Sequence, residues 1–213
     1  MKRIQGKIVS LVSVFAILFA TAAIRAEEGS KKITVGLKEI HGSIANVQAG
    51  ISSTMSALSE LKSAGKSGSS LSAKHAAFNE QFQQLQSTIE DTRKQGTLIR
   101  GKSEEQYKAW QEELAKMGNP KLRDKAMNRY EDAKEEFEEI IVISQEAKKD
   151  LGNLMSDLND IATYLNTDLS KEALKTLSNT IWKLENKSRG VVASLQHVNT
   201  QIDRTLEELP EGK

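Results

Sequence analysis

The sequence predicts an all-α protein, a long antiparallel four-helix bundle made of coiled-coil hairpins and elongated in shape. Three observations carry this. Apolar residues recur every 3.5 positions over long stretches, which is the coiled-coil period. The breaks between stretches are short and rich in helix-ending chemistry, so neighbouring helices should run antiparallel. Aromatics make up only 5% of the 213 residues and prolines number two, while Leu, Lys, Glu, Gln, Ser and Ala dominate, a balance that favours helix throughout.

The chain opens on a positive start, Lys2, Arg3 and Lys7, followed by an apolar run from Ile8 to Ile24 and small residues at Ala22, Ala23 and Ala26. This is the layout of a secretory signal peptide over residues 1–26. Cleavage fits after Ala26, leaving the polar Glu27-Glu28-Gly29-Ser30 as a mature N-terminus, or after Ala22, where Ala20-Thr21-Ala22 obeys the small-x-small rule. The competing reading is an uncleaved anchor, although a spanning helix wants about 20 predominantly apolar residues and this run sits at the lower limit. Both readings put the remaining domain, residues 27–213, outside the cytoplasm.

Within that domain four helices are expected at about 33–64, 72–117, 120–167 and 171–209. The first carries a stripe through Ile33, Leu37, Ile40, Ile44, Val47, Ile51, Met55 and Leu58, and is interrupted by Gly36, Gly42 and Gly50. Each glycine costs about 1 kcal/mol relative to Ala in a helix interior, so this helix should need packing partners. Gly65-Lys66-Ser67-Gly68-Ser69-Ser70 reads as a turn that offers serine caps to the second helix. Its stripe runs Phe78, Phe82, Leu85, Ile89, Thr92, Gly96, Ile99, Ser103, Gln106, Trp110, Leu114 and Met117. Gly101 and the capping-box pattern from Ser103 to Gln106 interrupt it locally, but the stripe crosses in phase, which predicts a continuous helix with a kink there.

Gly118-Asn119-Pro120 supplies a glycine for a left-handed helix stop, an N-cap and a first-position proline. The third stripe runs Ala133, Phe137, Ile140, Ser144, Ala147, Leu151, Leu154, Leu158, Ile161 and Leu165, and predicts a rod about 70 Å long. Ser170 caps the last helix, with Leu169 and Leu174 placed as a hydrophobic staple. The final stripe passes through Leu177, Ile181, Leu184, Ser188, Val191, Leu195, Val198, Ile202, Thr205 and Leu209. Folding the central hairpin about Gly118 to Pro120 sets Glu131, Asp132, Glu135, Glu136, Glu138 and Glu139 opposite Arg93, Lys94, Arg100, Lys102 and Lys108, a charge match expected to fix orientation.

Composition and charge exclude several functions. A hydrophobic share of 38% is too high for a disordered chain. Thirty basic against twenty-nine acidic residues leave a net charge of +1, so nucleic acid is not an expected partner. The absence of cysteine removes disulfides, thiolate metal sites, a nucleophilic thiol and cysteine-linked lipid.

No catalytic, cofactor-binding or metal-binding residues are predicted. His41, His75 and His197 lack the spacing to one another, or to a Glu three residues before, that builds metal sites in bundles. They are expected on helix flanks, with His197 able to meet Glu138 or Glu139 across the last hairpin. The acidic run from Glu131 to Glu139 reads as a solvated helix face, since paired catalytic carboxylates need a pocket to shift their pKa values. Trp110 continues its stripe and should be core, and Trp182 should cover the seam from its flank.

The stretch Trp110, Glu113-Leu114, Asn119-Pro120, Leu122-Arg123 and Arg129-Tyr130, followed by Asp157, Leu165-Asn166 and an amphipathic last helix, resembles the bacterial family catalogued as domain of unknown function 2959. The resemblance covers about residues 107–209, and the first helix departs from the family pattern. It implies an envelope-located coiled-coil protein and transfers no site. The expected function is therefore a non-catalytic exported coiled-coil protein, periplasmic or secreted, acting as an adaptor or spacer through a protein partner or self-association. The alternative is a membrane-associated, lipid-binding protein tethered by its N-terminal segment.

Overall fold

The structure is a computed structural model that describes the backbone of residues 5–67 and 70–208 and the side chains of residues 33–65 and 70–207. Four helices follow in order: α1 Gln5–Ser67, α2 Leu71–Ala115, α3 Pro120–Thr167 and α4 Lys171–Glu208. The protein is an all-α bundle, with no strand among the described residues. The last three helices agree with the sequence boundaries within two residues, whereas α1 starts well before residue 33, at Gln5. The signal-peptide reading of residues 1–26 and its two cleavage sites lie outside the described side chains.

Local chemistry sets the helix ends. Ser70 and Ser170 cap α2 and α4, their hydroxyl oxygens accepting from the amides of Ala73 at 3.4 Å and Ala173 at 3.1 Å. Asn119 does the same for α3, taking the Leu122 amide at 3.3 Å, with Pro120 at the first helical position. The end of α2 departs from expectation. It stops at Ala115, and the amides of Lys116 and Met117 turn back to the carbonyls of Glu113 and Leu114, both at 3.1 Å. This tight turn satisfies the last carbonyls, so Gly118 is left outside the left-handed region. At Gly101 the helix runs on unbroken.

Successive helices are antiparallel, and α1 and α4 close the ring. Thr54 donates to the Gln81 carbonyl at 3.2 Å while Ser43 meets Gln95, so α2 numbers fall as α1 numbers rise. His41–Asp203 at 3.4 Å and Lys62–Glu185 at 3.1 Å give the same sense for α1 and α4. Gln201 reaches Glu139 at 3.1 Å and Lys187 reaches Asp157 at 2.6 Å between α4 and α3. The α2–α3 contact is the sparsest of the four.

The seam residues form the core. All of α4's stripe from Leu174 to Thr205 is buried, as are Leu154, Leu158, Ile161 and Leu165 of α3. Each such Leu or Ile side chain contributes about 1.5–3 kcal/mol over its exposed state. In α2 the stripe shifts by one residue: Tyr107 is buried and Gln106 only half-buried. A straight helix drifts off a strict heptad by about 20° per repeat, which brings the larger apolar neighbour inward.

The glycines of α1 divide into two kinds. A Cβ at Gly36 would stand 3.3 Å from Ile99 Cγ2, and one at Gly50 3.1 Å from Leu85 Cδ1, so both mark close approach of α2. Around Gly42 and Gly101 nothing lies within 4 Å. Gly42→Ala and Gly101→Ala should therefore each stabilise by up to about 1 kcal/mol from helix propensity. Gly50→Ala should lose about 1 kcal/mol or more net, because Leu85 is fully buried and has nowhere to retreat. Urea midpoints of the three variants check the opposite signs.

Candidate functional site

Built from its residues, the hairpin between α2 and α3 is the most distinctive part of the bundle. Gln201 of α4 stands opposite Glu139, and α4 ends seven residues later, at Glu208, so it draws level with α3 near Asp132. The twelve residues of α3 before that point, about 18 Å of helix, extend past the last described turn of α4. An aromatic cluster stiffens the base of this extension. Tyr107 lies edge-on to Tyr130 with ring centres 6.0 Å apart and tilted against Phe137 at 5.8 Å, and Trp110 is edge-on to Tyr130 at 5.5 Å. Such pairs add about 0.5–1.5 kcal/mol each beyond their buried area.

The Tyr107 hydroxyl donates to the Ala133 carbonyl across the hairpin at 2.8 Å. Burial, and then the charge of Glu136, hold this phenol well above its ordinary pKa. Tyr107 and Tyr130 are placed for packing and sequence reading missed the first of them, because the in-phase position is Gln106. The signal that finds it is size and hydrophobicity one position off the stripe.

The predicted histidines are not brought together. His41 pairs with Asp203, and its own carbonyl accepts from Asn199 at 3.4 Å. His75 lies 3.3 Å from the amide of Asn79, and burial lowers its pKa. His197 is exposed, and Glu139 is taken by Gln201, about one helical turn further along α4. Among the described residues no group of three His, Asp or Glu side chains is placed to hold a metal ion. Asn199 is 2% exposed and its Oδ1 accepts no hydrogen bond.

The Tyr107–Ala133 contact sets Arg100, Lys102 and Lys108 of α2 level with the acidic stretch of α3, as expected, but the ion pairs of Arg93, Lys94, Arg100 and Lys134 lie within single helices. Arg93, Lys94 and Arg100 reach Glu90, Asp91 and Glu104 of their own helix, and Lys134 reaches Glu138. Partners three or four residues apart on one helix already stand within reach, at little ordering cost. Trp110, expected in the core, is half-buried and packs against its edge. Trp182 is not a cover for the seam: it is 57% exposed, because the position after Ile181 points outward at the flank. A hollow of about 410 Å³ lies at the C-terminal end of α3, lined by Asp160, Thr163, Tyr164, Thr167 and Asp168. Its walls come from one helix end and it is open to solvent.

Fold and side chains together define an antiparallel coiled-coil rod closed on itself by α1 and α4. The chain belongs to the family described as protein of unknown function (DUF2959), whose model matches residues 27–209. The match is wider than the residues 107–209 that carry the sequence resemblance, and it takes in the first helix, which is therefore no departure from the family. No similar curated protein and no similar solved structure was found.

The Tyr107 geometry has a measurable consequence. A phenol with a raised folded pKa keeps its proton after the unfolded chain has lost it near pH 10, so its stabilisation is full below about pH 10 and falls as pH rises towards the folded value. Tyr107→Phe should cost about 1 kcal/mol at neutral pH through the lost hydrogen bond. It should also lose less stability than the parent between neutral pH and about pH 11. Denaturant titrations across that range test both.

Proposed function

We propose that this chain is an exported, non-catalytic helical rod that works in the cell envelope as a spacer or adaptor, engaging a protein partner or a second copy through its helical surfaces. The observation that carries the reading is a join in the chain. The positive start, the apolar run Ile8 to Ile24 and the small residues end at Ala26, and the family match begins at the next residue. This favours removal of residues 1–26 and release of the helical domain into the periplasm or medium. The non-catalytic part of the reading is supported by scattered histidines, carboxylates paired along helix faces, and a hollow too open to exclude water. A net charge of +1 argues against a nucleic-acid partner.

The second reading keeps residues 8–24 as a tether and makes the protein membrane-associated. Among the residues whose side chains are described no helix is long and apolar enough to cross a membrane, and this run lies outside them. Cell fractionation with intact mass of the product separates the two. A soluble extracytoplasmic species beginning near Glu27 is the expected result. A full-length species that stays in membranes would establish the tether, and a specific turnover by the purified domain would overturn the non-catalytic reading.

A further inference from the structure

The geometry points to a second role at one end of the rod: the tip of the α2–α3 hairpin is a contact for anionic lipid headgroups. Charge is unevenly placed along the bundle. From Glu112 to Arg129 the hairpin end holds five basic residues, Lys116, Lys121, Arg123, Lys125 and Arg129, against three acids, Glu112, Glu113 and Asp124. Lys116 is engaged by Glu113 at 2.8 Å, whereas Lys121, Lys125 and Arg129 are exposed. Directly behind them, from Glu131 to Glu139, six acids face one lysine. A protein of net charge +1 thus carries a basic hairpin tip and, behind it, an acidic face on α3. Among the basic residues, in the first turn of α3, stands Leu122, 45% exposed.

Basic side chains near an anionic bilayer gain about a factor of five each in partitioning, and an apolar side chain at the same level adds insertion. The acidic face of α3 would be repelled if the rod lay flat on it, whereas the end-on pose brings only the tip to the bilayer. The opposite end carries Lys62, Lys66, Lys74, Lys171 and Lys175 with Glu60, Asp168 and Glu172, but there Lys62 is held by Glu185 and Lys74 by Glu60.

Topology puts the tip in a suitable place. Because α1 and α2 are antiparallel, the tip lies at the same end as the start of α1. Gly36 faces Ile99, and α2 continues sixteen residues beyond it to Ala115, about 24 Å. Ala26 lies ten residues before Gly36, about 15 Å along α1. The tip therefore leads the domain by about 9 Å if residues 1–26 are removed. If they are kept as a tether, it is held beside the bilayer they enter. The inference goes beyond the proposed function and stands under either outcome of the fractionation.

The chain contains no cysteine, so one introduced thiol reports one place. Leu122→Cys in the full chain, labelled with an environment-sensitive fluorophore, should shift to the blue on vesicles of phosphatidylglycerol and phosphatidylcholine. It should not shift on phosphatidylcholine alone, and the response should fade in high salt. The same label at Lys171→Cys, at the far end, should stay solvent-exposed. In a Leu122→Cys chain that also carries Lys121→Gln, Arg123→Gln and Lys125→Gln, the lipid concentration for half the shift should rise about 100-fold, with the circular dichroism unchanged. No shift on the anionic vesicles, an equal shift on the neutral ones, or an unaltered response in the glutamine variant would overturn the inference. A response to poly-glutamate but not to vesicles would overturn it too, by assigning the tip to an acidic protein.

Discussion

The backbone of α1 lies so close to its neighbours that a methyl group on Gly50 would stand 3.1 Å from Leu85, and one on Gly65 2.8 Å from Leu174. These two contacts reach α2 and α4 respectively, and the rest of the bundle depends on them. With α1 drawn in, Leu58, Leu61, Phe78, Leu85, Leu174 and Ile181 are fully or almost fully buried. Without it, α2 and the α3–α4 hairpin would be joined mainly by the sparse α2–α3 contact. Gly50 and Gly65, which weaken α1 as an isolated helix, are thus the condition for its packing.

Apolar seams of this kind tolerate slippage, and polar groups select the register. Lys62 and Glu185, with side chains 20% and 25% exposed, join α1 to α4 in a partly dry setting, where an ion pair is less screened than on the surface. Asn199, buried with one unsatisfied oxygen, holds the His41 carbonyl. A single buried asparagine in a coiled coil favours one alignment, because any other register leaves its polar side chain against apolar neighbours. The exposed pairs within single helices, such as Arg100–Glu104 at 2.9 Å, are worth about 0.3–0.5 kcal/mol each and select little.

Most of this architecture was legible because period and punctuation are local properties. The stripe from Leu174 to Thr205 is buried without exception among its named residues, and Ser70, Asn119 and Ser170 cap the helices that they precede. What was not legible depends on packing between helices. Tyr107 replaces Gln106 because the helix drifts against a strict heptad, and Trp182 turns outward because flank exposure is set by the neighbour's position. Glu139 finds Gln201 where His197 was expected, a difference of about one turn in α3–α4 register. The hairpin tip was visible as a turn, while its reach past α4 required the pairing of Gln201 with Glu139. No composition count reveals the basic end, since the whole chain nearly balances at +1.

The central structural claim is that one chain closes its own ring through α1 and α4. Zero-length carbodiimide coupling of lysine to carboxylate tests it on the unaltered protein. Lys62 and Glu185 stand 3.1 Å apart, and Lys187 and Asp157, within the last hairpin, 2.6 Å apart as an internal control. Both couplings should be found in peptides from product of monomer mass. Recovery of the Lys187–Asp157 link there, with Lys62–Glu185 absent or confined to product of dimer mass, would contradict the closed ring and place α1 on another chain.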